Sequence, residues 1–145
     1  MTKQEYVHIR NLAWDLLIDA NISSLPVAVD KIETVYSLPH RADCVIRYDR
    51  MLIAADRILT IYGLNSNPDN AKHLAIRVLA PMIVMDRIGI SSFDELMYYT
   101  DLPANLARQR FDRLIALRQR GKFEASYLET QVLKQFSNWI SRIRH

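Results

Sequence analysis

The stretch DCVIRYDRMLIAADRILTIY, Asp43 to Tyr62, decides the fold class. Its apolar runs are separated by the pairs Asp49-Arg50 and Asp56-Arg57, and its β-branched and aromatic content favours extended backbone. That pattern predicts a small antiparallel meander. The same residues also admit a helix, because Val45, Tyr48, Leu52, Ala55, Leu59 and Tyr62 recur at helical spacing. The strand reading is preferred. It makes the chain α+β and predominantly α-helical, with about five to six helices and an antiparallel sheet of about three strands in residues 43–62.

On either side of this stretch the patterns are helical. From Gln4 to about Ala20, Ile9, Leu12, Ala13, Leu16, Leu17 and Ala20 lie on one face of an amphipathic helix. Ser23-Ser24-Leu25-Pro26 reads as the start of a short second helix, with Ser24 as its cap and Val29, Ile32, Val35 and Tyr36 on one side. Asn65 to Asp69 is a turn, and a helix from Asn70 carries Leu74, Ala75, Val78, Leu79 and Met82 on one face. Pro81 lacks a backbone donor, so that helix kinks or ends there. Ser91-Ser92 caps a helix running to about Thr100, with Asp94 and Glu95 favourably placed in its first turn. After Asp101-Leu102-Pro103 comes a long helix, Ala104 to Arg120, and the chain closes with a helix from about Ser126. The stripe of that last helix is Leu128, Val132, Phe136, Trp139, Ile140 and Ile143.

The 145 residues suit one domain. Half the residues are hydrophobic and only three are Gly, a composition of folded chains rather than disordered ones. MTKQEYVHIR has no apolar signal-peptide core, and no uninterrupted apolar run reaches the ~20 residues of a membrane span. A cytoplasmic protein with no membrane partner is expected. Cys44, the single cysteine, cannot close an internal disulfide. Net charge is +3, unevenly distributed. Residues 1–103 hold ten Lys/Arg against thirteen Asp/Glu, whereas residues 104–145 hold nine against three. The positive end either steers an acidic partner or nucleic acid or only complements helix dipoles.

LAIRVLAPMIV, Leu74 to Val84, resembles the helix that ends in a leucine-rich LLAP or LLMP segment in the ImmA/IrrE zinc metallopeptidases, proteins common in bacterial mobile elements. FDELMYYTDLPANLARQRFDRLIALRQRGKF, Phe93 to Phe123, is similar to the family's short helix, turn and arginine-bearing helix, and LLIDANISSLPVAVDKI, Leu16 to Ile32, to its opening. In that family a strand leads into a His-Glu-x-x-His helix, whose histidines bind zinc and whose glutamate activates water. Aligned on RILTIYGLNSN, Arg57 to Asn67, the resemblance places Gly63 and Asn67 at the zinc histidines, Leu64 at the glutamate and Asn70 at the third ligand. Neither Gly nor Asn can replace an imidazole, and an Asn amide is a poor substitute for a zinc carboxylate. The single domain that the resemblance implies, residues 1–145, is therefore expected to be without a metal site.

The residues offer little other chemistry. His8, His40, His73 and His145 are scattered, and the local pair Asp69/His73 reads as an ordinary helix-surface pair. The serines look like caps, and three glycines leave no phosphate-cradling loop. No cofactor and no enzymatic activity are expected. Residues 91–121 have the outline of a helix-turn-helix. The candidate partner-binding residues are Arg108, Arg110, Arg113, Arg118, Arg120 and Lys122. Arg110 and Arg118 fall inside an apolar arc, which predicts either an ion pair with an acid in residues 94–101 or an interface anchor. The expected function is a non-catalytic protein-binding module. The resemblance implies a phage or mobile-element regulator or inhibitor acting on a repressor or on a host defence protein such as a CRISPR nuclease. The alternatives are a DNA-binding regulator using the basic C-terminal helices and a residual zinc peptidase.

Overall fold

The computed structural model describes residues 1–121 and 125–143. Its elements are α1 (Lys3–Asp19), α2 (Val29–Val35), α3 (Arg47–Ile61), α4 (Pro68–Leu79), α5 (Met82–Arg87), α6 (Phe93–Thr100), α7 (Ala104–Gln119) and α8 (Tyr127–Ile143). No strand occurs among the described residues, so the fold is all-helical, and the expected α+β class with about five to six helices and a sheet in residues 43–62 is corrected to α1–α8 without a sheet.

The reason lies in which residues of that stretch are buried. Met51, Ala54, Ala55, Ile58 and Leu59 form the inner face of α3, at spacings of three, four, seven and eight from the first. All but Ile58 are strong helix formers. Ile58 excepted, the β-branched residues that suggested strands are the outward ones: Val45 is 92% exposed, and Ile46, Ile53 and Ile61 are exposed as well. Strand alternation from Met51 would have buried Ile53 with Ala55. Tertiary burial therefore overrode β-propensity.

Elsewhere local signals explain the boundaries. Thr2 and Glu5 form a capping box on α1, with the Glu5 N–H donating to Thr2 Oγ1 at 3.1 Å. Asn67 caps α4 with Pro68 just inside it, and Pro81 separates α4 from α5 by serving as the latter's cap. Ser92 caps α6. Ser24, in contrast, caps nothing. Ile22, Leu25 and Val27 are buried and carry the chain through the core before α2 starts at Val29, whose cap residue Ala28 makes no side-chain bond.

α4 packs against both α1 and α3, α8 returns against α1 and α5, and α6 packs on α7. One contiguous cluster of buried hydrophobic residues draws on every helix from α1 to α8. α5 is the most enclosed, with Met82, Ile83, Val84 and Met85 buried in succession. α2 is fastened to α3 by an ion pair between Glu33, 1% exposed, and Arg50. No helix among the described residues is long and apolar enough to cross a membrane.

Candidate functional site

Gly63, Leu64, Asn67 and Asn70 all lie at the α3–α4 turn, where each shapes the backbone. Gly63 takes φ +69°, a left-handed conformation that favours glycine. Its N–H donates to Thr60 O at 3.0 Å and that of Leu64 to Leu59 O at 2.8 Å, the paired bonds of a Schellman turn ending α3. Asn67 Oδ1 accepts the Asn70 N–H at 2.8 Å, and buried Asn70 donates through Nδ2 to Glu5 Oε2 at 3.0 Å and Asn65 O at 2.8 Å. These residues form the end of α3, the turn after it and the first turn of α4. Among the described residues, no three His, Cys, Asp or Glu side chains are grouped so that they could hold a metal ion.

The C-terminal arginines have diverse surroundings. Arg118 donates to Asp86 Oδ1 at 2.8 Å and to the carbonyl of Ile90, tying α7 to α5. Its acid is therefore not in residues 94–101, where Asp101 instead pairs with Arg47 at 3.1 Å and Glu95 serves the start of α6. Arg110 meets no carboxylate among the described residues. Its Nε and Nη2 both donate to Ala80 O, at 3.0 and 2.9 Å, and satisfy the carbonyl that α4 leaves open before Pro81. Arg108 lies 4.1 Å over the Phe93 ring. Arg113 and Arg120 are exposed, and Lys122 lies outside the described residues.

Arg110 and Arg113 nevertheless belong to a site that the sequence pattern did not reveal. They line a pocket of about 170 Å³ together with Arg10 of α1 and Arg77 of α4, with Tyr6, Trp14, Met82, Leu117 and Glu129 completing the wall. Each helix supplies a short stripe: Tyr6, Arg10 and Trp14 are four residues apart, as are His73 and Arg77, and Arg110 and Arg113 are one turn apart. None of the four arginines forms an ion pair with a carboxylate among the described residues. Arg77 donates from Nε to His73 Nε2 at 2.9 Å and from Nη2 to the Tyr6 hydroxyl, over whose ring its guanidinium lies at 4.8 Å. His73 therefore turns to Arg77, not to Asp69 as its sequence neighbour suggested.

The electrostatics of the pocket are one-sided. Burial, with Arg77 and Arg113 nearby, pulls the Arg110 guanidinium down to about 9. Burial also lowers Arg77, and the charges of Arg10 and Arg113 add to that, outweighing the help of Tyr6. His73 is held neutral, pulled down to about 4 by burial and by Arg77 and Arg110. All three shifts disfavour the cationic form, with burial as the largest cause and neighbouring cations adding to it. Glu129, the one acid of the lining, accepts the Ser126 N–H at 3.2 Å at the start of α8.

A second surface feature is aromatic. Tyr98, 76% exposed, meets Tyr99 edge-on at 5.0 Å, Tyr99 meets Trp139 at 5.9 Å, and Trp139 meets buried Phe136 at 6.1 Å. The series runs from solvent into the core across α6 and α8.

No protein-family model, curated protein or solved structure matches this chain. Its function must be argued from the sites themselves.

Proposed function

We propose that the chain is a non-catalytic binding module whose arginine pocket receives an acidic group presented by a protein partner. One observation carries this reading: four guanidiniums line a single concavity, and no carboxylate among the described residues pairs with any of them. Repulsion that the fold leaves uncompensated is offset when a partner brings the opposite charge.

The scale favours a protein over nucleic acid. A duplex presents rows of phosphates and is met by a basic strip, whereas a concavity of about 170 Å³ holds one group. Arg110 and Arg118, two members of the expected strip, are engaged with Ala80 and Asp86. The exposed Tyr98 and its neighbours Tyr99 and Trp139 add residue types that act as rigid anchors in protein interfaces. The ImmA/IrrE resemblance supplies the setting, a metal-free phage or mobile-element inhibitor that binds a repressor or a host defence protein such as a CRISPR nuclease without cleaving it.

The test is affinity capture from nuclease-treated host lysate with the wild type and with Arg10→Gln/Arg113→Gln, which alters two exposed pocket residues. One protein retained near equal stoichiometry by the wild type and lost by the variant is the expected result. Equal capture by both would remove the pocket from the interface. Recovery that depends on nucleic acid would transfer the function to DNA binding, and zinc near about one equivalent per chain would restore the peptidase reading.

A further inference from the structure

We infer that the acidic group taken by the arginine pocket is a phosphoryl group rather than a carboxylate, an inference that rests on reading the pocket as the docking point of a partner's acidic group. Charge is the first argument. Arg10, Arg77, Arg110 and Arg113 line the pocket with Glu129 as its one acid, so the lining carries three more positive than negative formal charges. A carboxylate offsets one of these, whereas a phosphate monoester carries about −1.5 to −2 at neutral pH.

The second argument is donor geometry. A planar carboxylate is satisfied by the fork of one guanidinium. Here the guanidiniums come from α1, α4 and α7, three helices approaching one space, which suits the three terminal oxygens of a tetrahedral group. Among the described residues, Nη1 of Arg77 and Nη1 of Arg110 make no hydrogen bond, because Arg77 uses Nε and Nη2 on His73 and Tyr6, and Arg110 uses the same two nitrogens on Ala80. The Tyr6 hydroxyl accepts from Arg77, so its own proton remains available for donation. His73, neutral and accepting from Arg77 Nε, fixes that guanidinium without adding another charge.

Size is the third. Sites for whole drug-sized molecules occupy roughly 300–1,000 Å³, and about 170 Å³ admits one phosphoryl group with the first atoms of its carrier. Trp14, Met82 and Leu117 provide an apolar wall for those atoms. The carrier is then a phosphorylated side chain of the partner, while free phosphate shares the same chemistry and is separated from it by the experiment.

Calorimetric titration of the full chain with inorganic phosphate, phenyl phosphate and benzoate tests the inference. Saturable one-to-one binding of phenyl phosphate is expected, with benzoate weaker by about tenfold or more, since a lost charge-assisted hydrogen bond amounts to about that factor. Phenyl phosphate binding should tighten as pH rises through about 6, where the second phosphate proton leaves. Arg10→Gln and Arg113→Gln, both at exposed positions, should each weaken it about tenfold, whereas Arg120→Gln, outside the pocket, should leave it within about twofold. Phenyl phosphate binding more tightly than inorganic phosphate identifies a phosphoryl group on a carrier, and equal or weaker binding identifies free phosphate. Benzoate matching phenyl phosphate overturns the inference and leaves the acidic-group reading standing, as does the absence of saturable phosphate binding when protein capture still depends on Arg10 and Arg113. Phosphate binding at the pocket with capture indifferent to those arginines has the opposite meaning: the phosphoryl site holds and the protein-docking role fails.

Discussion

Replacing Arg50 by Met should cost about 3–5 kcal/mol, the range for stranding one member of a buried ion pair. Glu33 keeps only 1% of its surface, and both its oxygens are engaged. Arg50 Nε donates to Oε2 at 2.9 Å, Arg50 Nη2 donates to Oε1, and the Arg41 N–H reaches Oε2 at 3.3 Å. Without the guanidinium, the carboxylate retains one long hydrogen bond at the seam between α2 and α3. Glu33→Gln should cost less, because the Arg50 side chain is 19% exposed and its head can turn toward water. The pH dependence distinguishes a stranded charge from an ordinary loss of packing. In the wild type, hydrogen bonding to Arg50 holds the Glu33 carboxyl below its ordinary 4.5. The pair's stabilisation is therefore present above that value and is lost as pH falls through the lower folded value. In Arg50→Met, burial without the cation raises the carboxyl instead, so protonation on acidification relieves the penalty. The stability gap between the two proteins should narrow from about pH 7 to about pH 4. Urea midpoints across that series measure it. A cost below about 1 kcal/mol, as for a surface pair, or a gap that does not change with pH, refutes the buried-pair account.

Gly63→Ala should lower stability by about 1 kcal/mol, because φ is +69° and an added Cβ meets no atom within 4 Å, leaving backbone strain as the cost; an unchanged urea midpoint would contradict the left-handed turn. The His73 ring should titrate near pH 4 by NMR rather than at 6.5, so its contribution to stability is present above 6.5 and is lost as pH falls toward 4. An observed midpoint near 6.5 would place the ring in water. Arg118→Met should cost about 1–3 kcal/mol through the lost bonds to Asp86 and Ile90, while exposed Arg120→Met should stay within about 0.5 kcal/mol. Equal denaturation midpoints for these two variants would dismiss the α5–α7 tie.

Much of the fold is legible in the sequence because its determinants are local. The α1 periodicity, the Ser92 cap, the break at Pro81 and the α8 stripe each occupy a few residues, and each element falls within a turn of its expected limits. At α3 residue preference and burial disagree: Ile53 and Ile61 face water, and a face of Met51, Ala54, Ala55, Ile58 and Leu59 is buried, with α4 packed on the helix. Ser24 misled for a related reason. A serine before a Leu-Pro resembles a cap, but the buried side chains of Ile22, Leu25 and Val27 determine that segment's path. The arginine pocket is less visible still. Tyr6, Arg10 and Trp14 are spaced as one helix face, yet nothing in that spacing tells that Arg77 and Arg110, far away in sequence, will share the space.

Three arginines of the basic segment 104–145 are engaged within the chain. Arg118 is neutralised by Asp86, Arg108 lies on Phe93, and Arg110 satisfies a carbonyl. These arrangements stabilise the fold, and each uses an arginine for a reason internal to the chain. Arg10 and Arg113 have no such reason: both are exposed, neither forms an ion pair or hydrogen bond among the described residues, and both add to the charge against which Arg77 is held. A glutamine at either position would fill similar space with less repulsion. An anion in the pocket would offset that repulsion, which is why the pocket, and not the basic third as a whole, carries the functional proposal.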